Sequence, residues 1–358
     1  MTTALYNKTV TPLTQVLSTR TLGWLIAVLL SLYTIPETGW SDEARLDAYH
    51  DLMLSQERPL STKELIVLYR KLGNIGQGSE IVAKDKFKLG LIPSFRFENN
   101  INGGNPTGPL ILGDAVFIGD PTFNKKSGTV ADLKVQLQGR FFVGLGKYAD
   151  LKFTHQVATS LHDRVSFHSN LLGGCYHHFV RSWNYIDVCG MKSVSSKALL
   201  SDDSMSKSLS FTRLVHTNSY GNNMLTLGVG LENDDGVEQR HYFIRLNNKN
   251  IAKTDPSFTV KLGELPKRFL SLDRSFEGRF NLLYNETLSV NLYAKYAHYK
   301  GGQILGFPRN ETHKNIIAEI PIAQHVIASF GYFETDSNIN YFDERGPIFG
   351  LYFTNFEF

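Results

Sequence analysis

The residues that could do chemistry in this chain are set at every second position. Lys134, Gln136, Gln138 and Arg140 alternate with Leu133, Val135, Leu137, Phe141 and Val143. Lys152, Thr154 and Gln156 alternate with Leu151, Phe153 and Val157. Glu277, Arg279 and Asn281 stand among Phe276, Phe280 and Leu282, and Asn291 and Lys295 among Val290, Leu292, Ala294 and Tyr296. Residues two apart share one face of a strand. Each segment therefore has an apolar face and a polar one. Such polar groups solvate a lumen, pair across strands, or meet a solute inside it. Lys134, Gln136, Arg140, Lys152, Gln156, Glu277, Arg279, Asn291 and Lys295 are the candidates to point inward.

Other chemistry has less support. Cys175 and Cys189 are equidistant from Ser182. In a hairpin centred there they would face each other, as a bridge in an oxidising compartment or as two free thiols with the register off by one. Neighbouring His177 and His178 would point to opposite faces of a strand, which argues against a shared metal ion. His155, His162 and His168 are scattered near turns. The sequence holds no nucleophile elbow, zinc-protease helix motif or phosphate loop. It implies no enzyme, no cofactor and no metal.

Composition leaves room for a membrane protein of one kind. The chain has 358 residues, a net charge of +3 and 12% aromatics, and a mean hydropathy of -0.18. The near-neutral charge gives no argument for nucleic acid. Beyond the first 40 residues no apolar run reaches the roughly 18 of a membrane helix. A β-barrel needs only strands of about 9–11 alternating residues.

Alternation begins near Lys86 and continues to Phe358. It divides into fourteen segments, 88–101, 131–144, 149–159, 165–180, 182–193, 206–216, 222–232, 238–248, 256–264, 268–283, 287–299, 313–322, 324–335 and 345–358. Most exceed the roughly 5–6 residues of soluble strands. Odd-numbered connections at 102–130, 194–205, 300–312 and 336–344 are long, whereas several even ones are short. That rhythm predicts an antiparallel transmembrane β-barrel of a Gram-negative outer membrane, with both ends of the chain on the periplasmic side. The glycine-rich run Ile101-Asn-Gly-Gly-Asn-Pro-Thr-Gly108 reads as an exposed loop. The last strand ends on Phe358, with Phe356 and Tyr352 on its face, as in the signal by which barrels are recognised for insertion. Outer-membrane lipid and the barrel assembly machinery are the implied partners.

Ahead of the barrel, residues 1–40 read as a signal peptide. Lys8 and Arg20 precede a short apolar core, Leu22 to Tyr33; the other reading is an N-terminal anchor helix. Residues 41–85 read as a periplasmic helical hairpin. Leu46, Tyr49, Leu52 and Leu54 have helical spacing, Arg58-Pro59 breaks the chain, and Ser61 with Glu64 forms a capping box before a second apolar stripe. One hairpin buries too little to stand alone, so it should pack on something.

Three stretches resemble the surface lipoprotein assembly modifier family. They are Arg58 to Gly76, Ile92-Pro-Ser-Phe-Arg-Phe-Glu-Asn-Asn-Ile-Asn-Gly-Gly104, and Ser329 to Phe353 with Asp336-Ser-Asn-Ile339 in its loop. The resemblance covers about three quarters of the chain. It implies tetratricopeptide-like helices before a fourteen-stranded barrel that helps a surface lipoprotein or secreted client cross the outer membrane. That family has several helical repeats, and here at most one and a half fit. The alternative is a passive porin-like channel for small polar solutes.

Overall fold

The structure, a computed structural model, describes residues 39–54, 64, 68, 86–144, 146–163, 165–217, 221–234, 236–249, 254–264, 269–283, 289–323, 325–353 and 356–357. The predicted signal segment and most of the predicted second helix lie outside them. Among the described residues ahead of the barrel, one helix is continuous, α1 (Gly39–Leu54). The barrel strands are β1 (Lys86–Glu98), β2 (Gly128–Gly144), β3 (Lys147–Ser160), β4 (Ser166–Phe179), β5 (Asn184–Lys197), β6 (Leu200–Thr217) and β7 (Gly221–Asp234). They continue with β8 (Val237–Lys249), β9 (Thr254–Gly263), β10 (Ser271–Leu283), β11 (Ser289–Lys300), β12 (Glu311–Ala323), β13 (Val326–Ser337) and β14 (Glu344–Phe353).

Each strand pairs antiparallel with the next in sequence, and β14 returns to β1 at Ser94↔Tyr352 and Arg96↔Gly350. Closure leaves no sheet edge, the condition for backbone to cross lipid. Register then fixes the two surfaces. Outward positions expose large apolar groups on all fourteen strands, among them Leu172 at 59%, Phe276 at 50% and Ile316 at 64%. A continuous apolar belt of this kind has lipid as its solvent. The inward positions are polar or small, including Ser206, Ser208 and Ser210 on β6. The chain is a fourteen-stranded transmembrane β-barrel.

The first, ninth, eleventh and thirteenth connections are the longest. All are odd-numbered and leave one end, here the outer end; even connections define the inner end. The fifth connection corrects the sequence reading. Residues 194–205 are not a long loop: β5 and β6 run through them and turn at Ala198-Leu199. Beyond the lipid the outward face need not be apolar, so polar strand there resembles loop in sequence.

The closing strand brings a second correction. Tyr352 lies opposite Ser94, whereas Phe356 lies opposite Leu91. A one-residue slip separates them, so positions 352 and 356 fall on opposite faces. Phe358 lies outside the described residues.

Candidate functional site

The lumen is the candidate site, and the sheet builds it from two-residue spacing alone. All nine polar residues singled out by spacing occupy inward register positions. Lys134 lies opposite Gln156, and Gln136 opposite Thr154, on the β2–β3 wall. Glu277 lies opposite Lys295, and Arg279 opposite Tyr293, on the β10–β11 wall, with Asn291 opposite Asn281. The walls are separate, so these residues form two groups. Arg279 donates to Glu277 at 2.9 Å and lies over the Tyr293 ring. Arg140 grips Asp150 with Nε at 2.6 Å and Nη2 at 2.7 Å, a bidentate pair. Cys175 and Cys189 are opposite each other on β4 and β5 and are joined by a disulfide on the inward face.

The inner end of the lumen is filled by α1. Its Arg45 is fully buried among strand side chains. Arg45 Nη2 lies 3.2 Å from Asp187 Oδ1 and 3.2 Å from His177 Nδ1. His177 Nδ1 lies 2.6 Å from Asp187 Oδ1, and its Nε2 lies 3.5 Å from Asp150 Oδ2. Thr212 Oγ1 donates to Asp187 at 3.0 Å. The guanidinium also stands 4.6 Å from the Tyr185 ring centroid. A buried ion chain thus runs from the helix through Asp187, His177 and Asp150 to Arg140. Around it, Leu46, Tyr49 and Leu68 pack with Tyr185, Leu214 and Met224. The described part of the predicted hairpin sits in the barrel mouth, packed on the strands as its apolar stripe requires.

The turn beneath α1 is shaped for this contact. Ser182 and Trp183 both have positive φ, 52° and 62°. Asn184 N donates to Arg181 O at 3.1 Å, which makes a tight turn over Ser182 and Trp183 with mirror-image geometry. Neither residue is glycine, so the conformation costs energy. It places the Trp183 ring edge-on to Tyr49, centroids 5.2 Å apart.

At the outer end the first connection folds inward. Ile101, Asn102, Gly103 and Gly104 are buried, which corrects their reading as an exposed loop. Asn100 holds Gly104 through two hydrogen bonds of 2.9 Å, and Asn102 accepts from Lys126 N at 2.8 Å. A Cβ at Gly104 would stand 2.5 Å from the Asn124 carbonyl oxygen, so only glycine fits. Below it, Arg96 pairs with Asp132 and Glu98, and Lys197 donates to Glu98 at 3.1 Å and to Asn100 O at 2.6 Å. Above it, Leu110 and Leu112 pack with Ile304, Ile339 and Phe342 from the eleventh and thirteenth connections. Arg309 stacks on Phe342 at 3.6 Å and pairs with Glu311. Burial lowers the pKa of that guanidinium, with Glu311 opposing the shift.

Spacing found the lining and missed both seals. The signal for the inner one was Arg45, the one Lys or Arg of α1, one residue before Leu46 and four before Tyr49 of its apolar stripe. Among the described residues no cluster of His, Cys, Asp or Glu suits a metal ion.

The sequence matches no family model and no curated protein. The structure has slight likeness to solved outer-membrane proteins. Against the outer membrane protein opdK from Pseudomonas aeruginosa the TM-score is 0.40 at 7% identity, over 76% of this chain and 99% of that one. For OccAB3 from Acinetobacter baumannii the values are 0.41 and 8%, over 77% and 100%. A BenF-like porin from Pseudomonas fluorescens gives 0.42 and 7%, over 77% and 99%. Likeness at this level says nothing of what passes or binds.

Proposed function

We propose that the protein is a non-enzymatic solute channel of the Gram-negative outer membrane, held shut by α1 at its periplasmic end and by the first connection at its outer end. One observation carries this reading. The inward lysines Lys134, Lys152, Lys261 and Lys295 are only half-buried, although Gln136, Thr226 and Asn315 beside them are buried, whereas Arg45 and Asp187 at one end and Arg96, Glu98, Arg309 and Glu311 at the other are buried. Water-accessible polar surface inside a closed wall is what a conduit needs. An anchoring barrel has no use for it. The inner seal is polar and docked rather than covalent, which suits a helix that leaves and returns.

Planar-bilayer recording tests this with folded protein, verified by faster migration in an unboiled gel. Discrete conductance from wild type or from Arg45→Ala is the expected result. Silence from both would end the channel reading.

The resemblance to the surface lipoprotein assembly modifiers supports a second reading, assistance to a lipoprotein or secreted client. It predicts a client that stays periplasmic when the gene is deleted. An unchanged surface proteome would remove it.

A further inference from the structure

The geometry points to a proton-binding site at His177, inside the inner seal, whose occupancy drives α1 out of the barrel mouth. This rests on the channel reading and names the signal that opens the channel, acidification.

His177 is 1% exposed and sits on the inward face of β4, opposite Asp187. Its Nδ1 stands 2.6 Å from Asp187 Oδ1, so this nitrogen carries a hydrogen and donates it to the carboxylate. In the neutral ring Nε2 is then a bare lone pair. It makes no hydrogen bond, and it faces Asp150 Oδ2 at 3.5 Å. A second proton would turn a lone pair set against an anion into an N–H aimed at one.

The cation that opposes this proton belongs to the helix. Arg45 Nη2 lies 3.2 Å from His177 Nδ1. The other groups around the ring belong to the wall. Tyr148 of β3 stacks on it with centroids 4.5 Å apart, and Asp150 of the same strand is held from behind by Arg140 of β2. On β5, Asp187 grips the ring and Tyr185 lies beneath the guanidinium, while Thr212 of β6 donates to Asp187. When α1 leaves it takes Arg45 away, and Asp187 and Asp150 stay. A positive imidazole is therefore repelled by its nearest cation while the helix is docked, and held by two carboxylates once the helix has gone. Protonation and docking oppose each other, and the opposition is reciprocal: acid that charges His177 must favour the undocked helix. Acid that reaches Asp187 works in the same direction, since it removes the anion that Arg45 grips.

The test is the rate at which Leu46→Cys, buried in the seal, reacts with a membrane-impermeant maleimide in the folded full-length protein. Each rate is divided by that of the urea-unfolded protein at the same pH, which cancels the ionisation of the thiol itself. From about pH 7.5 to about pH 5.5, within the span over which histidine changes charge, the ratio should rise about tenfold. It should stay flat in Leu46→Cys/His177→Gln. If that protein does not fold, Leu46→Cys/Arg45→Gln decides in its place: without the guanidinium the ratio should be high and independent of pH. A ratio that ignores acid or falls with it would overturn the inference. So would a rise that persists in these variants, which would give the effect to His50 and His216, the pair that meets at Asn222. Bilayer conductance over the same acidification separates the two readings. Acid-driven labelling without any current would leave the proton site and end the channel. Current with labelling indifferent to pH would leave the channel and end the proton site.

Discussion

Removing the Arg45 side chain should release α1 from the barrel mouth. Arg45 is 0% exposed, and its partner Asp187 keeps only 5% of its side-chain surface. Breaking a buried ion pair by deleting one partner costs about 3–5 kcal/mol, because the other charge stays buried. The surroundings place this case at the low end. After Arg45→Ala, Asp187 still has Thr212 Oγ1 donating at 3.0 Å and His177 at 2.6 Å. What remains of the helix's polar docking is modest. Asp47–Lys249 at 3.1 Å is a half-exposed pair, worth up to roughly 1 kcal/mol. His50 adds a 2.6 Å contact to Asn222. A loss of about 3 kcal/mol is roughly a hundredfold in the undocked population. The assay is labelling of Leu46→Cys, buried in the seal, with a membrane-impermeant maleimide. The rate in Arg45→Ala/Leu46→Cys should exceed that of Leu46→Cys alone by about two orders of magnitude. Bilayer conductance should rise in parallel. Equal labelling rates in the two proteins would refute the claim that this ion chain holds the helix.

Three further perturbations separate wall, staple and outer seal. Ser208→Arg and Leu209→Arg are neighbours on β6 with opposite expected outcomes, since Leu209 is 51% exposed on the lipid face. Leu209→Arg should lower folding stability by about 2–4 kcal/mol in a urea titration, while Ser208→Arg should fold normally and change conductance. Reducing Cys175–Cys189, whose sequence separation is 14, should cost at most about 3 kcal/mol by loop entropy. It should lower the urea midpoint without altering conductance, because the ladder pairs both strands on either side of the bridge. Gly104→Ala forces a Cβ against the Asn124 carbonyl. Faster tryptic cleavage at Lys125 or Lys126 is expected, with the barrel itself intact.

Much of this molecule is local and was legible as such. A two-residue period assigns each side chain to a face wherever one face meets lipid, because a slip by one would put every lysine of a strand into hydrocarbon. Fourteen strands and their inner linings follow from that rule, whereas the bridge between Cys175 and Cys189 was one of two alternatives until the register decided it. The rule weakens where the strand leaves the lipid. Residues 194–205 then look like loop, although the ladder continues through Ser195↔Asp202. It also fails at Tyr352 and Phe356, because their registers against β1 differ by one residue, which only the closure of the barrel sets.

What only the tertiary structure decided is where the non-strand segments go. The apolar stripe of α1 demanded a partner, and nothing in its own sequence said that the partner was the inside of the barrel. That site exists only once Tyr185, Leu214 and Met224, brought from three strands, line the closed mouth. Burial of Arg45 depends likewise on Asp187 and His177, 142 and 132 residues away along the chain. Asn102 looked like the polar content of an exposed loop, and Asn100 like the end of the first strand. They are buried because the lumen offers Lys197 and the turn at Leu199 as partners. Face and period belong to the residues themselves. Occupancy of the lumen belongs to the cavity, which the sequence does not contain until the last strand returns to the first.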